Sequence, residues 1–304
     1  DQANARVFLP KLGWMRYRKS REVLGEVKNV TVSQTSGKWF VSIQTEREVE
    51  QPIPQGGAVG IDMGIARFAT LSDGSFYEPL NSFKRHERGL RKAQQAMSRK
   101  VKFSSNWKKA KARVTKIHAR IGHARRDYLH KATSTISQNQ AVVCIEDLQV
   151  RNMSKSATGT TERPGKSVRA KSGLNKAILD QGWFEFRRQL DYKVRWRGGW
   201  LVAVAPQNTS RTCPKCDHVA AANRQSQSKF LCVACGFEAN ADWVGAVNIL
   251  ARGMQKMRDE GQDTADASAG HASAAQIACE VSDAVRSPAA GTHRSDSGAA
   301  QCRA

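Results

Sequence analysis

No apolar stretch in the 304 residues is longer than six, the run from Trp200 to Ala205, whereas a helix crossing a bilayer needs about 20. The opening segment, DQANARVFLPKLGW, has no apolar core of the signal-peptide kind, so nothing marks secretion. It also lacks a starting methionine and begins nearly inside a strand-like segment, as a fragment does. Aromatic residues are scarce at 7%, yet the 40% hydrophobic content fits a globular chain and argues against wholesale disorder. Acids are scarce too, 27 against 49 lysines and arginines, for a formal charge of +22. Disulfides are not expected: seven cysteines in a chain without a secretory signal point to metal.

The charge is unevenly spread. From Asp259 to Ala304 seven acids face only Arg286, Arg294 and Arg303, so residues 1–258 carry 46 basic and 20 acidic side chains. Self-repulsion in so basic a body calls for a polyanionic partner. Nucleic acid fits better than a membrane surface, because no cationic amphipathic end segment stands out. Between Lys84 and Lys131 the count is 17 Lys/Arg against Glu87 and Asp127 alone, too lopsided for a merely solubilising face. Lys108, Lys109, Lys111, Arg113, Lys116, Arg120, Arg125 and Arg126 are the candidate phosphate contacts, supplying affinity and positioning rather than sequence readout.

Residues 1–50 read as β-rich, with TVSQT (31–35) and KWFVSIQTE (38–46) alternating across the turn Ser36-Gly37. After the linker QPIPQGG, AVGIDMG (58–64) reads as a buried strand, followed by ARFATLS and SFYEP. A helical hairpin is predicted over 82–140, turning near Ser104-Ser105-Asn106. AVVCIED (141–147), apolar until its closing acids, reads as a central strand. Residues 151–173 read as a mobile loop, placed to act as a lid, and Ile178 to Trp196 as one amphipathic helix. The strand WLVAVAP, a cysteine-rich module (210–238), a last helix (239–257) and a disordered tail (258–304) complete the prediction. Trp183, Phe184 and Phe186 read as core, and Cys144 as a buried strand residue rather than a nucleophile.

Two constellations carry chemistry. Cys213, Cys216, Cys232 and Cys235 form two CxxC pairs at ribbon spacing, a soft tetrahedral donor set that one structural Zn²⁺ prefers. Asp62, Glu146 and Asp242 each stand at an element end, where alternating β and α segments bring distant residues together. Three such acids repel one another unless cations lie among them, and two Mg²⁺ (or Mn²⁺) would suit phosphodiester cleavage. Each acid alone has an ordinary reading: Asp62 as a turn cap, Glu146 as partner to a basic neighbour, Asp242 as a helix N-cap.

The segments GIDMGIARFATLSDG, WKKAKARVTKIHARIGHARRDYLHK, VVCIEDL, GWFEFRRQLDYK, PQNTSRTCPKC and CVACGFEANADWVGAVNIL, in that order, resemble the transposon-encoded TnpB (OrfB) proteins of insertion sequences. These are often called transposases and are relatives of the type V CRISPR effectors. The resemblance runs from about Arg6 to Gly253. It implies an α/β fold: an RNase H-like (RuvC) mixed sheet with a helical insertion and an inserted four-cysteine zinc ribbon, preceded by a partial β-rich wedge segment. The wedge would be residues 1–50 and the nuclease core 58–209. It further implies an RNA guide that directs DNA cleavage, and a cytoplasmic, bacterial-type location, nucleoid-associated on DNA. Asp62 matches the family's GID aspartate, Glu146 the glutamate of its IED motif, and Asp242 the aspartate before its NAAxNI stretch. Val244-Gly245-Ala246 stand where the family usually has Asn-Ala-Ala, although Asn248 matches the later asparagine, and the family's N-terminal recognition lobe is absent from this sequence.

The expectation is therefore a Mg²⁺-dependent DNA endonuclease of an insertion sequence, with Asp62, Glu146 and Asp242 as metal-binding catalytic acids and water as nucleophile. One rival is a strand-transferring transposase, whose acids run Asp, Asp, Glu where this chain runs Asp, Glu, Asp. A second is a non-catalytic zinc-ribbon remnant that binds nucleic acid and holds no divalent ion at the acids. Oligomeric state, guide and target-adjacent motif are not legible here.

Overall fold

The structure is a computed structural model that describes residues 1–50 and 52–265. Its centre is a five-stranded mixed sheet of β5 (Gly57–Asp62), β6 (Ala69–Leu71), β7 (Phe76–Tyr77), β8 (Gln140–Glu146) and β9 (Trp200–Val204), ordered β7-β6-β5-β8-β9. β5, β8 and β9 are parallel, with Ile61 opposite Ile145 and Cys144 opposite Val202; β6 and β7 add an antiparallel edge. The apolar run of β8 reflects burial on both faces. Because side chains alternate along a strand, Val143 and Ile145 join Val59 and Ile61 under Leu129, Ile136, Phe186 and Leu190. Val142 and Cys144 instead meet Val202, Ile249, Leu250 and Met254 on the opposite face.

The first face is covered by α2 (Ser105–Asn139) and α5 (Trp183–Arg195), the second by α6 (Ala241–Ala265). α6 lies close because the sheet offers it glycine: a Cβ at Gly60 would strike the Ala246 carbonyl, and one at Gly253 of α6 would strike the Cys144 sulfur. α1 (Ser82–Ser98) packs antiparallel along α2 as the expected hairpin, and Ser104 caps α2 by accepting from the Trp107 N–H at 3.2 Å.

Residues 1–50 form two separate antiparallel pairs, β1 (Arg6–Leu9) with β2 (Gly13–Arg16), and β3 (Glu26–Thr35) with β4 (Lys38–Glu46). The second turns on Ser36 and Gly37, both at positive φ, as a two-residue hairpin requires. No closed barrel forms among the described residues.

Three boundaries differ from the sequence reading. The single helix expected from Ile178 to Trp196 is two: α4 (Val168–Gln181) stops at Gly182, whose φ of 76° breaks the ladder before α5. The loop expected over 151–173 is shorter, since α3 (Val150–Met153) and the first turns of α4 occupy its ends. α6 continues to Ala265, past the expected end at Met257; the rest of the tail expected to be disordered, 266–304, lies outside the described residues. No helix among the described residues is long and apolar enough to cross a membrane.

Candidate active site

β5 and β8 run parallel with Ile61 paired to Ile145, so the next residues, Asp62 and Glu146, stand side by side at the carboxyl ends of adjacent strands. Asp242 comes from the first turn of α6. Its own N-cap reading fails: Asn240 is the cap, its Oδ1 accepting from the Asp242 N–H at 3.0 Å and the Trp243 N–H at 3.2 Å. The Asp242 carboxylate is thus left to face the sheet end. Trp243 pins this end of α6 by donating its indole N–H to the Ser72 carbonyl at 3.0 Å. One turn on, Gly245 leaves room for Asp62, since a Cβ there would stand 3.2 Å from Oδ2.

The three acids share one electrostatic environment. Burial first, then the charges of Glu146 and Asp242, push Asp62 up to about 7, against the pull of Arg224. Burial also raises Glu146, which is 8% exposed; the Thr209 hydroxyl, donating to Oε1 at 2.6 Å, and the Arg252 and Arg224 charges oppose it. No hydrogen-bond donor among the described residues reaches the Asp62 carboxylate, so its turn-cap reading fails too.

Sequence reasoning missed Arg224 and Thr209. Arg224, at the end of a 3₁₀ turn (Ala221–Asn223), reaches Asp242 at 3.6 Å. Nothing local in QSQSK or its flanks marks that reach; only the ribbon's docking on α6 creates it. Thr209 is held by Asn248, whose amide donates to the Thr209 carbonyl at 2.7 Å and the Thr212 carbonyl at 2.8 Å. Asn248 therefore orients the segment that positions Glu146 and leads into Cys213.

The four cysteines converge, with all donor atoms within 4.8 Å of one another. Cys213 and Cys235 sulfurs are 3.6 Å apart, as are those of Cys216 and Cys232. Tetrahedral Zn–S bonds of about 2.3 Å require sulfurs roughly 3.8 Å apart, so the donor set fits zinc. The two pairs are built alike. The Asp217 N–H donates to the Cys213 carbonyl and the Gly236 N–H to that of Cys232, with Asp217 and Gly236 both left-handed. Burial opposes ionisation of Cys232, but the N–H groups of Cys235 and Ala234, together with the facing Cys235 and Cys216 thiols, lower its thiol overall. This module comprises the 3₁₀ turn, β10 (Lys229–Leu231) and β11 (Glu238–Asn240), and its core takes in Val244. Val244 thus faces the ribbon, not the acids. Among the described residues this is the one set of three or more such ligands so tightly gathered; the three carboxylates are set wider and coupled by charge. Their chemistry fits hard cations: oxygen donors that Arg224 and Arg252 offset only in part.

Of the predicted phosphate contacts, Lys108, Lys109, Lys111, Arg113, Lys116, Arg120 and Arg126 are exposed on α2. Arg125 is engaged instead, 2.8 Å from the buried Asp180, which also accepts from the Phe83 N–H and so caps α1 from a distance. Trp183 and Phe186 are core, but Phe184 is 74% exposed, because its position on α5 points away from the sheet. Cys144 is buried in β8 and its thiol is pushed up to about 12, as expected of a packing residue.

Residues 40–157 match the family model OrfB_IS605, described as "Probable transposase", and residues 183–249 match the Cas12f1-like TNB domain. The chain belongs to the transposon-encoded OrfB/TnpB family. It is 59% identical over 254 residues to an Escherichia coli K12 protein named "Putative RNA-guided DNA endonuclease InsQ", covering 83% of this chain and 63% of that one. A Streptomyces pristinaespiralis protein, "Putative RNA-guided DNA endonuclease", is 38% identical over 75% of this chain and 54% of its own length. The chain thus spans somewhat over half the length of these relatives. Among solved structures, a Cas12f1-sgRNA-target DNA complex matches 73% of this chain and 55% of its own at 18% identity, with a TM-score of 0.44.

Proposed function

We propose that this chain is the nuclease core and zinc ribbon of a DNA endonuclease of insertion-sequence type, directed by RNA. The core is RNase H-like (RuvC) over residues 58–209 with the last helix α6, the ribbon spans 210–238, and residues 1–50 are part of a wedge. The observation that carries the reading is Asp62, held up to about 7 by burial and by the charges of Glu146 and Asp242 at the same sheet end. Such a site is costly to ionise without cations. The names of the Escherichia coli and Streptomyces relatives, both RNA-guided DNA endonucleases by name, support the substrate class and the guide.

Asp62, Glu146 and Asp242 would hold two Mg²⁺ or Mn²⁺ ions, which when bound supply an activated water and charge stabilisation at the leaving oxygen. Thr209 and Asn248 hold Glu146 in place, and Arg224, 3.6 Å from Asp242, would offer its guanidinium to a phosphate at the acids. The cysteine set would hold a structural Zn²⁺ with no open coordination position. The exposed cations of α2 bind phosphates and leave sequence to guide pairing.

The test is Mg²⁺-dependent DNA cleavage by the chain, assembled with its co-purifying RNA, beside Asp62→Ala, Glu146→Ala and Asp242→Ala. Each substitution abolishes cleavage and leaves nucleic-acid binding nearly intact. Undiminished cleavage by Asp62→Ala overturns the reading.

A further inference from the structure

The turn joining α1 to α2 carries a feature that the nuclease reading leaves unused. Val101 and Phe103 are 80% and 66% exposed at the far end of the hairpin from the acids' sheet. Phe103 holds φ 70°, a conformation a bulky side chain rarely adopts and one that persists only where the surroundings impose it. Its ring meets that of Trp107 edge to face at 5.4 Å. Each ring has a lysine over one face: Lys102 at 5.1 Å from Phe103, Lys111 at 5.2 Å from Trp107. Arg99, Lys100, Lys108 and Lys109 flank them in the sequence, and no acid occurs between Glu87 and Asp127. Below the tip, a groove of about 470 Å³ opens between the two helices, lined by Ala93 and Ala110 and by the cationic Lys92, Arg113 and Lys116. Arg113, six residues beyond Trp107 on α2, lies roughly 9 Å further along the helix.

We propose that this tip is a binding site for an unpaired stretch of nucleic acid. A base stacks on the open face of Phe103, which Trp107 braces edge to face, and the neighbouring phosphates run along the lysines into the groove. Rings side by side with unopposed cations are what a single strand needs, because every base offers a π-face and every link a charge. A duplex hides its base faces and would use the cations alone. A protein partner would have to bring a dense acidic surface to match a patch with no acid of its own. The proposal rests on the hairpin being a nucleic-acid face, not on the acid cluster.

The experiment is fluorescence anisotropy of the full chain with oligo-dT and oligo-rU of about 20 nucleotides, an abasic oligonucleotide of the same length and a duplex, each at several salt concentrations. Wild-type protein binds the unpaired base-bearing strands more tightly than the abasic one. Phe103→Ala lowers affinity for oligo-dT or oligo-rU about tenfold, the order of one stacked base, without changing the salt slope or abasic binding. Phe103→Tyr retains affinity, and Phe103→Gly, free of the backbone strain, melts no lower than wild type while losing the same affinity. The ranking of dT against rU identifies the strand as DNA or RNA. Equal binding of base-bearing and abasic strands, or an unchanged Phe103→Ala, overturns the stacking site. Lys108→Ala with Lys109→Ala distinguishes the two levels. If it flattens the salt slope while Phe103→Ala is silent, only the stacking falls. If neither changes binding, the nucleic-acid reading of the hairpin falls with it.

Discussion

Replacing Asp62 with asparagine keeps its shape and removes the charge that burial and two neighbouring acids resist. In the unfolded chain the carboxyl titrates near its ordinary 3.8, and in the fold it is pushed up to about 7. Between those values the folded state binds more protons than the unfolded one, so stability falls as pH rises through that window and stays low above it. Raising the carboxyl from 3.8 to about 7 corresponds to about 4 kcal/mol at most, for a site that solvent partly reaches. Asp62→Asn lacks this penalty. In urea denaturation with zinc retained and no other divalent ion, variant and wild type unfold at similar midpoints near pH 4, whereas by pH 8 the variant is more stable by about 2–4 kcal/mol. Added Mg²⁺ narrows the gap at pH 8 by stabilising wild type only. Parallel pH profiles for the two proteins would contradict an Asp62 carboxyl pushed up by burial and by Glu146 and Asp242.

Thr209→Val removes the 2.6 Å donor to Glu146; losing a hydrogen bond to a charged group lowers stability at pH 8 by about 2 kcal/mol and weakens Mn²⁺ binding measured calorimetrically. Gly60→Ala drives a methyl group into the Ala246 carbonyl and Leu250, prising α6 from β5; unfolding free energy drops by about 3 kcal/mol in urea titration. Cys216→Ser cuts the zinc content, by metal analysis, from one per chain towards none, and limited proteolysis then opens residues 210–238. Arg224→Ala raises the pH at which Asp62 titrates, read by NMR of the carboxyl carbon, because the guanidinium that opposes the upward push is gone.

The parts legible in the sequence were those where burial or donor chemistry dictates residue type. β8 is apolar because both its faces are covered, and the four cysteines are spaced by the two turns that carry them. The α1–α2 hairpin was legible from its periodicity and from Ser104. The break at Gly182 was not, since the apolar pattern continues across it and only the left-handed backbone ends α4. The acids could be nominated from element ends, but their mutual pressure on Asp62 is a property of three chain segments meeting. Arg224 was invisible for the same reason, being brought to Asp242 by docking of the ribbon on α6. Val244, a departure from the family pattern, became intelligible only when it was found in the ribbon core.

Crystals grown with Mn²⁺ and read through anomalous scattering test the proposed caging of divalent cations by Asp62, Glu146 and Asp242. Two manganese peaks bounded by these three carboxylates are expected, both lost in Asp62→Asn crystals. Well-ordered crystals in saturating Mn²⁺ with no peak between the acids would contradict it.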